Sequence, residues 1–561
     1  MNSLQTHSEK GVSRFRLFKR GNLLGLLSVQ VLVCSYVWFV LEVTISRMAT
    51  PLGTGDITGT YLFQEILWNR GKTTETVGFP TGISISDLAN YEITQTLLTG
   101  FTYLFSHNIF LSVNIGFYFA HLICANLTYF ISRKFGLGEG YAVLSAVAAS
   151  TLPWIPGRIE HPGLWYLSIS LTPLLIVRGK SESPRYLFGL LLGFLVGASG
   201  GYVVAFAFVV VLGIFIAQYK MLLSDFAMIK EYLFFALGIV IISSASLLYF
   251  GFSASSTLLD RSLQDSIHYG GYILLGLLPL GSTPFPQLIQ NKITQILNQL
   301  PQTNETTWAS NFGSIFLIYV VMVLLGYAAF SAIKQNKNMN FLDDYREKIL
   351  AVTALTIVLF CVKGGLGPLL TATIFPPVRA WNRLIIVFQI CLIILGLLVI
   401  QKMQYRLRKI ATLILIPTLL LQMVANRSLV PAPRSIYFLN LQQMATDLQT
   451  SLRGDCGILQ LPELKADGSG APQNMKTYDH YLAAVVGRGV NWSFGQRLGD
   501  FETLLNMSMS KEQILNSLSK QYCAIEIDKN WTDSYLWINK LEKFQFKMIH
   551  NSDDFIVFSI T

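Results

Sequence analysis

Stretches of roughly 20 residues with almost no charge recur along this chain, and each is long enough to cross a bilayer as a helix. In hydrocarbon a backbone can hydrogen-bond only within protein, so such runs dictate helices. The first covers Asn22 to about Ser46. Ten more fall at about 109–131, 139–155, 164–178, 187–199, 202–218, 232–250, 312–333, 349–362, 384–400 and 410–426. Ser199, Gly200 and Gly201 punctuate one long apolar run and divide it into two helices joined by a tight turn. The expected architecture is an all-α polytopic membrane domain of about eleven spans. Of the 561 residues only 13% are charged, against roughly 25% in soluble globular chains. A soluble class is therefore excluded.

The net charge of +10 could suggest nucleic acid, but the basic residues sit mostly in short connections between apolar runs. That distribution is an orientation signal and predicts no nucleic-acid partner. Residues 1–21 are polar and basic, and the run behind them is too long for a signal-peptide core, so it reads as a retained anchor starting in the cytoplasm. With that start, the inner segments carry 20 Lys and Arg, and the outer loops before residue 427 carry nine. The membrane domain thus spans 22–426, with large outer loops at 47–108 and 251–311. Residues 427–561 form a polar outer domain.

Within that outer domain, CGILQLPEL and YCAIEID read as strands and TDSYLWINKLEKF as an amphipathic helix. FKMIHNSDDFIVFSI reads as a closing hairpin around 551–554, giving a small α/β fold. Cys456 and Cys523 each begin a strand, and an oxidising compartment would permit a bridge between them. The other four cysteines lie in apolar spans, where they pack. Neither an internal repeat nor a low-complexity tract is present.

The outer face gathers the polar chemistry. Asp56 follows the first span, ahead of YLFQEILWN, which reads as an interfacial helix with Tyr61 and Trp68 as aromatic anchors. Partial desolvation there can tune the basicity of a carboxylate. PWIPGRIEHPG supplies Arg158, Glu160 and His161; DRSLQDSIHYGG supplies Asp260, Arg261, Asp265 and His268; FPPVRAWNRL supplies Arg379, Asn382 and Arg383. Each cluster alone could be turn residues or interfacial anchors. Together they point to phosphate, because Arg presents a bidentate fork suited to it. HExxH, paired CxxC, GxGxxG-to-helix and P-loop patterns do not occur, and no spacing indicates a divalent metal or names a cofactor.

With these motifs in view, the chain resembles the GT-C superfamily of polytopic membrane glycosyltransferases, particularly bacterial members with a trailing outer domain. TGDITGTYLFQEILWN with VGFPTG is similar to their first outer loop. SVNIGFYFAHLICANLTYFISRKFG resembles their second span, and PWIPGRIEHPGLWYLSISLTPLLI their Arg- and His-bearing outer turn. DRSLQDSIHYGGYILLGLLPLGSTPF, FPPVRAWNRL and VNWSFGQRLGD also have counterparts. The resemblance implies a hexosyl- or pentosyltransferase that uses a polyprenyl-phosphate sugar donor, with inversion, on a glycan, lipid or protein acceptor. It implies a bacterial inner (plasma) membrane, with the N-terminus cytoplasmic and the C-terminus outside, and membrane lipids as partners. Carried onto this sequence, Asp56 is the general base; Arg158, His161, Arg261, His268, Arg379 and Arg383 bind substrate. Many members pair two acids in this loop, whereas position 57 is Ile, so a second carboxylate would come from Glu65, Glu160, Asp260 or none. The alternative is a non-catalytic flippase-like or scaffold component of surface-polysaccharide export. Transporters, however, favour ionisable groups at the bilayer midplane and inverted repeats. A third reading is a partner-binding protein acting through residues 427–561.

Overall fold

A computed structural model describes residues 20–71, 73–85, 92–178, 183–250, 269–271, 277, 295, 313–334, 345–374, 378, 380–452, 456–464, 479–494, 504–518 and 521–560. Each apolar run meets a helical segment. Among the described residues six helices are long and apolar enough to cross a membrane: Leu23–Val40, Ile109–Lys134, Gly201–Ser224, Phe226–Tyr249, Trp381–Lys402 and Tyr405–Leu429. Tyr186–Ala198 and Ile315–Phe330 are shorter. The turn at Gly200 is as expected: its φ of 103° is a conformation that only glycine adopts at no steric cost.

The run at 164–178 departs from expectation. It is a chain of 3-10 turns and one short α-helix, Pro173–Ile176, rather than one continuous helix. Pro162 and Pro173 each remove a backbone donor, which breaks any longer helix. Trp165, Leu167, Ile169, Leu171 and Leu174 are all buried. Irregular backbone is tolerated at this depth because protein, not lipid, surrounds it.

The C-terminal segment follows its expected elements closely. Strands β1 (Gly457–Leu461), β2 (Asn491–Trp492), β3 (Tyr522–Asp528), β4 (Lys547–Asn551) and β5 (Phe555–Ser559) form one sheet in the order β2-β1-β3-β5-β4. β1 runs parallel to β2 and β3, while β5 runs antiparallel to β3 and β4. Side chains alternate across a strand. Ile525 and Ile527 therefore enter a separate core with Leu518, Trp537 and Leu541, while Ala524 on the other face joins the main core with Met444 and Tyr481. Cys456 and Cys523 are bridged, with Cα atoms 5.7 Å apart.

The first outer loop is stitched to this sheet. Val77 pairs in parallel with Trp492. Trp492 N donates to Thr76 O at 2.9 Å, Phe79 N to Trp492 O at 3.0 Å, and the Tyr522 hydroxyl to Phe79 O at 2.8 Å. The Asp56–Glu65 helix is not interfacial, as its sequence pattern suggested. Tyr61, Leu62, Phe63 and Ile66 are wholly buried, and Tyr61 is a core residue rather than a membrane anchor. Its polar residues Thr58, Thr60, Gln64 and Glu65 are buried with them, so protein rather than a membrane interface surrounds the helix beyond its first turn. Trp68 remains 42% exposed.

Candidate active site

The segment leading to Asp56 is held by one buried amide. Asn114, on the Ile109–Lys134 helix, donates through Nδ2 to Met48 O and Thr50 O, both at 2.9 Å. Its Oδ1 accepts from the Tyr61 hydroxyl at 2.6 Å, and that hydroxyl accepts from Leu52 N at 3.2 Å. The chain then turns through Gly55, whose φ is 83°, and Asp56 opens the helix. A carboxylate in that first turn is favoured by the helix dipole.

The second outer turn meets it. Pro156 and Pro162 start successive 3-10 turns, with His161 between them. Trp165 Nε1 donates to Arg158 O at 3.0 Å and Trp154 Nε1 to Leu164 O at 3.2 Å, fixing the turn from within. His161 Nδ1 lies 2.9 Å from Asp56 Oδ2. Arg158 is buried, with its guanidinium 5.5 Å from the Trp154 ring. Arg383 comes from the 3-10 turn Trp381–Leu384, its guanidinium 4.8 Å from the Tyr202 ring.

These groups set the charge on Asp56. Burial in the cleft works to raise its pKa, but the close His161 contact and the charges of His161, Arg383 and Arg158 outweigh it. The carboxyl is left below its ordinary value. Its side chain nevertheless stays 62% accessible, so an incoming group can reach it. An ionised, accessible carboxylate beside an imidazole and two guanidiniums can accept a proton and neutralise an anion. Among the described residues no group of three or more His, Cys, Asp or Glu side chains is arranged to hold a metal.

Asp56, the turn carrying Arg158 and His161, and Arg383, which lie far apart in the chain, thus come together. Arg261, His268 and Arg379, with Asp260, lie outside the described residues. Of the candidates for a second carboxylate, Glu65 is wholly buried and engaged elsewhere: its two oxygens meet Arg488 Nε at 2.8 Å and Nη2 at 2.9 Å, and Asn69 Nδ2 donates to it at 2.7 Å. Glu160 is near the site; Thr54 Oγ1 donates to it at 3.5 Å.

An acid that the sequence reading did not single out lies against the turn that carries His161. Glu92 precedes the Ile93–Ser106 helix, and its carboxyl is wedged against two glycine turns. A methyl group at Gly163, two residues beyond His161, would collide with Glu92 Oε1; one at Gly200 would meet its Cγ at 3.2 Å. Glu92 Oε2 is buried with no hydrogen-bond partner among the described residues, and burial pushes the carboxyl up to about 8. The run Gly197–Gly201 has the GxSxG spacing of a nucleophile elbow. Ser199, however, is buried at a helix–helix turn and donates to Leu195 O at 2.7 Å.

No family model and no curated protein sequence matches this chain. Solved structures do. ArnT from Cupriavidus metallidurans, bound to undecaprenyl phosphate, aligns over 96% of this chain and 98% of its own, at 11% identity and a TM-score of 0.50. The oligosaccharyltransferase of Archaeoglobus fulgidus, tethered to an acceptor peptide, aligns over 91% of this chain and 69% of its own, at 11% identity and a TM-score of 0.51. The chain has the GT-C fold. At such low identity the likeness concerns the path of the backbone, and a GT-C scaffold by itself does not specify a reaction.

Proposed function

We propose that this protein is an integral-membrane glycosyltransferase working on the extracytoplasmic side. The observation that carries the reading is the convergence of an ionised, accessible Asp56 with His161, Arg158 and Arg383 at the outer helix ends of a GT-C scaffold. In this reading Asp56 takes the proton of an acceptor hydroxyl. The oxygen attacks the anomeric carbon of a polyprenyl-phosphate sugar, the bond from that carbon to phosphate oxygen breaks, and its electron pair leaves with the lipid phosphate. Displacement from the face opposite the leaving group inverts the anomeric centre. Arg383 and Arg158 neutralise the departing phosphate, and His161 orients Asp56. Arg261, His268 and Arg379 are assigned to substrate binding from sequence alone.

Several further elements of the reading are proposals of the same kind. They are a membrane domain of about eleven spans over 22–426, a cytoplasmic N-terminus at 1–21, a bacterial inner membrane, and an outer domain at 427–561 that covers the site or binds the acceptor. That ArnT was captured with undecaprenyl phosphate, and the archaeal enzyme with an acceptor peptide, supports a lipid-phosphate donor and a separate acceptor.

The test compares cells lacking the protein with cells carrying wild type or Asp56→Asn at equal membrane abundance, by mass spectrometry of surface glycans and glycolipids. The expected result is one sugar increment restored by wild type alone, since general base catalysis contributes about 10²–10⁴-fold. An increment restored by both proteins would reject the base assignment. No increment from either would favour export or scaffolding.

A further inference from the structure

A pocket of about 220 Å³ lies between the first outer loop, the second outer turn and the start of the outer domain. Its walls include Thr50, Thr54, Glu160, Arg434, Tyr437 and Phe438. It adjoins the Asp56 site directly. Glu160 Oε2 lies 3.8 Å from where a Cβ on Gly55 would stand, and Glu160 is followed in the chain by His161. The Glu160 carboxylate thus belongs to the pocket wall and lies beside the Gly55 turn that leads into Asp56.

The chemistry of the walls is specific. In the same pocket wall, the Arg434 guanidinium lies 5.6 Å from the Tyr437 ring and 3.6 Å from Asp479 Oδ2. Its charge is already balanced there, so a phosphate finds little surplus positive charge. One carboxylate acceptor, one fork of N–H donors, two threonine hydroxyls and two aromatic rings suit a neutral ligand with many hydroxyls and an apolar ring face. That is the chemistry of a sugar ring. A lipid-phosphate donor must keep its chain in the bilayer, whereas this pocket is lined by Pro431, Arg434 and Leu482 from the C-terminal segment and the linker leading to it.

We propose that this pocket is the acceptor subsite, and that the acceptor is a saccharide whose ring lies against Tyr437 and Phe438. Glu160 and Arg434 hold its hydroxyls and thereby direct one of them to Asp56. The inference rests on the transferase reading and adds the class of acceptor and the residues that select it.

The test adds purified full-length protein to membranes from cells lacking it, which supply donor lipid. The probe is the saccharide fraction extracted from those same cells, titrated as acceptor, with the sugar increment read by mass spectrometry. Glu160→Gln and Arg434→Ala should each raise the amount of acceptor needed for half-maximal rate about tenfold, one charged hydrogen bond's worth. The saturating rate and the donor dependence should stay near wild type. Ala432→Trp, which fills the exposed rim of the pocket, should do the same without touching either charge. If all three variants keep the wild-type acceptor dependence while wild type transfers, the subsite is wrong and the transferase reading stands. If donor dependence shifts instead, the pocket holds the donor sugar and the proposal is overturned. If wild type transfers nothing, both fall together.

Discussion

Asp56 owes its properties to two opposing effects of similar origin. Enclosure in the cleft favours the protonated acid, while His161, Arg383 and Arg158 favour the carboxylate and win. The base form therefore persists down to pH values below the ordinary carboxyl value of 3.8. Replacing His161 by Gln removes the nearest favourable contact and leaves enclosure less opposed, so the acid limb of the rate–pH profile should move to higher pH. An unmoved limb would show that His161 does not tune Asp56. Glu92 presents the opposite case, a carboxyl held neutral to about pH 8 by burial alone. Between its ordinary value of 4.5 and about 8, the folded chain keeps a proton that the unfolded chain has lost. Stability must then fall as pH rises through that window and level off above it. In Glu92→Gln this fall should shrink, as read by thermal unfolding at pH 5, 6.5 and 8 in the same buffer ions (about one and a half pH units between steps, chosen to span the shift). Glu92 was illegible in the sequence because its neighbours there are uncharged. Its enclosure comes from Gly163 and Gly200, far away in the chain.

At the scale of elements, the loop after the first span is joined directly to the C-terminal sheet. Glu65 closes the Asp56–Glu65 helix and is paired through both oxygens with Arg488, while Arg70 reaches Ala484 O at 2.8 Å. Arg488→Ala would leave Glu65 buried and short of its main counter-charge. The expected cost is about 2–3 kcal/mol, less than for a fully enclosed pair because Arg488 is half accessible. Hydrogen exchange should then rise at residues 73–79 and 491–494 together; exchange rising at only one of them would contradict the coupling. This junction could not be read beforehand. The hairpin around 551–554 and the Ser534–Lys543 helix were legible because their periodicity is local, whereas the pairing of Val77 with Trp492 depends on two segments that show no mark of each other. YLFQEILWN was misjudged for a related reason. Tyr61, Leu62 and Phe63 are three apolar residues in a row, which fits burial on every side better than an interface.

Over the whole molecule, length and apolarity made the polytopic class plain, and the polar clusters between apolar runs marked the residues from which the candidate site is built. Asp56, Arg158, His161 and Arg383 were each visible as polar groups at the ends of apolar runs, and the fold supplies the proximity that spacing could not. The central claim is that Asp56 activates an acceptor for attack on a lipid-phosphate sugar. It is tested most directly by measuring that lipid by mass spectrometry in cells carrying Asp56→Asn in place of wild type, at matched protein abundance. The account predicts that one sugar-charged polyprenyl phosphate accumulates as it does in cells lacking the protein, because its consumption has stopped. A donor pool equal to that of wild-type cells would contradict it.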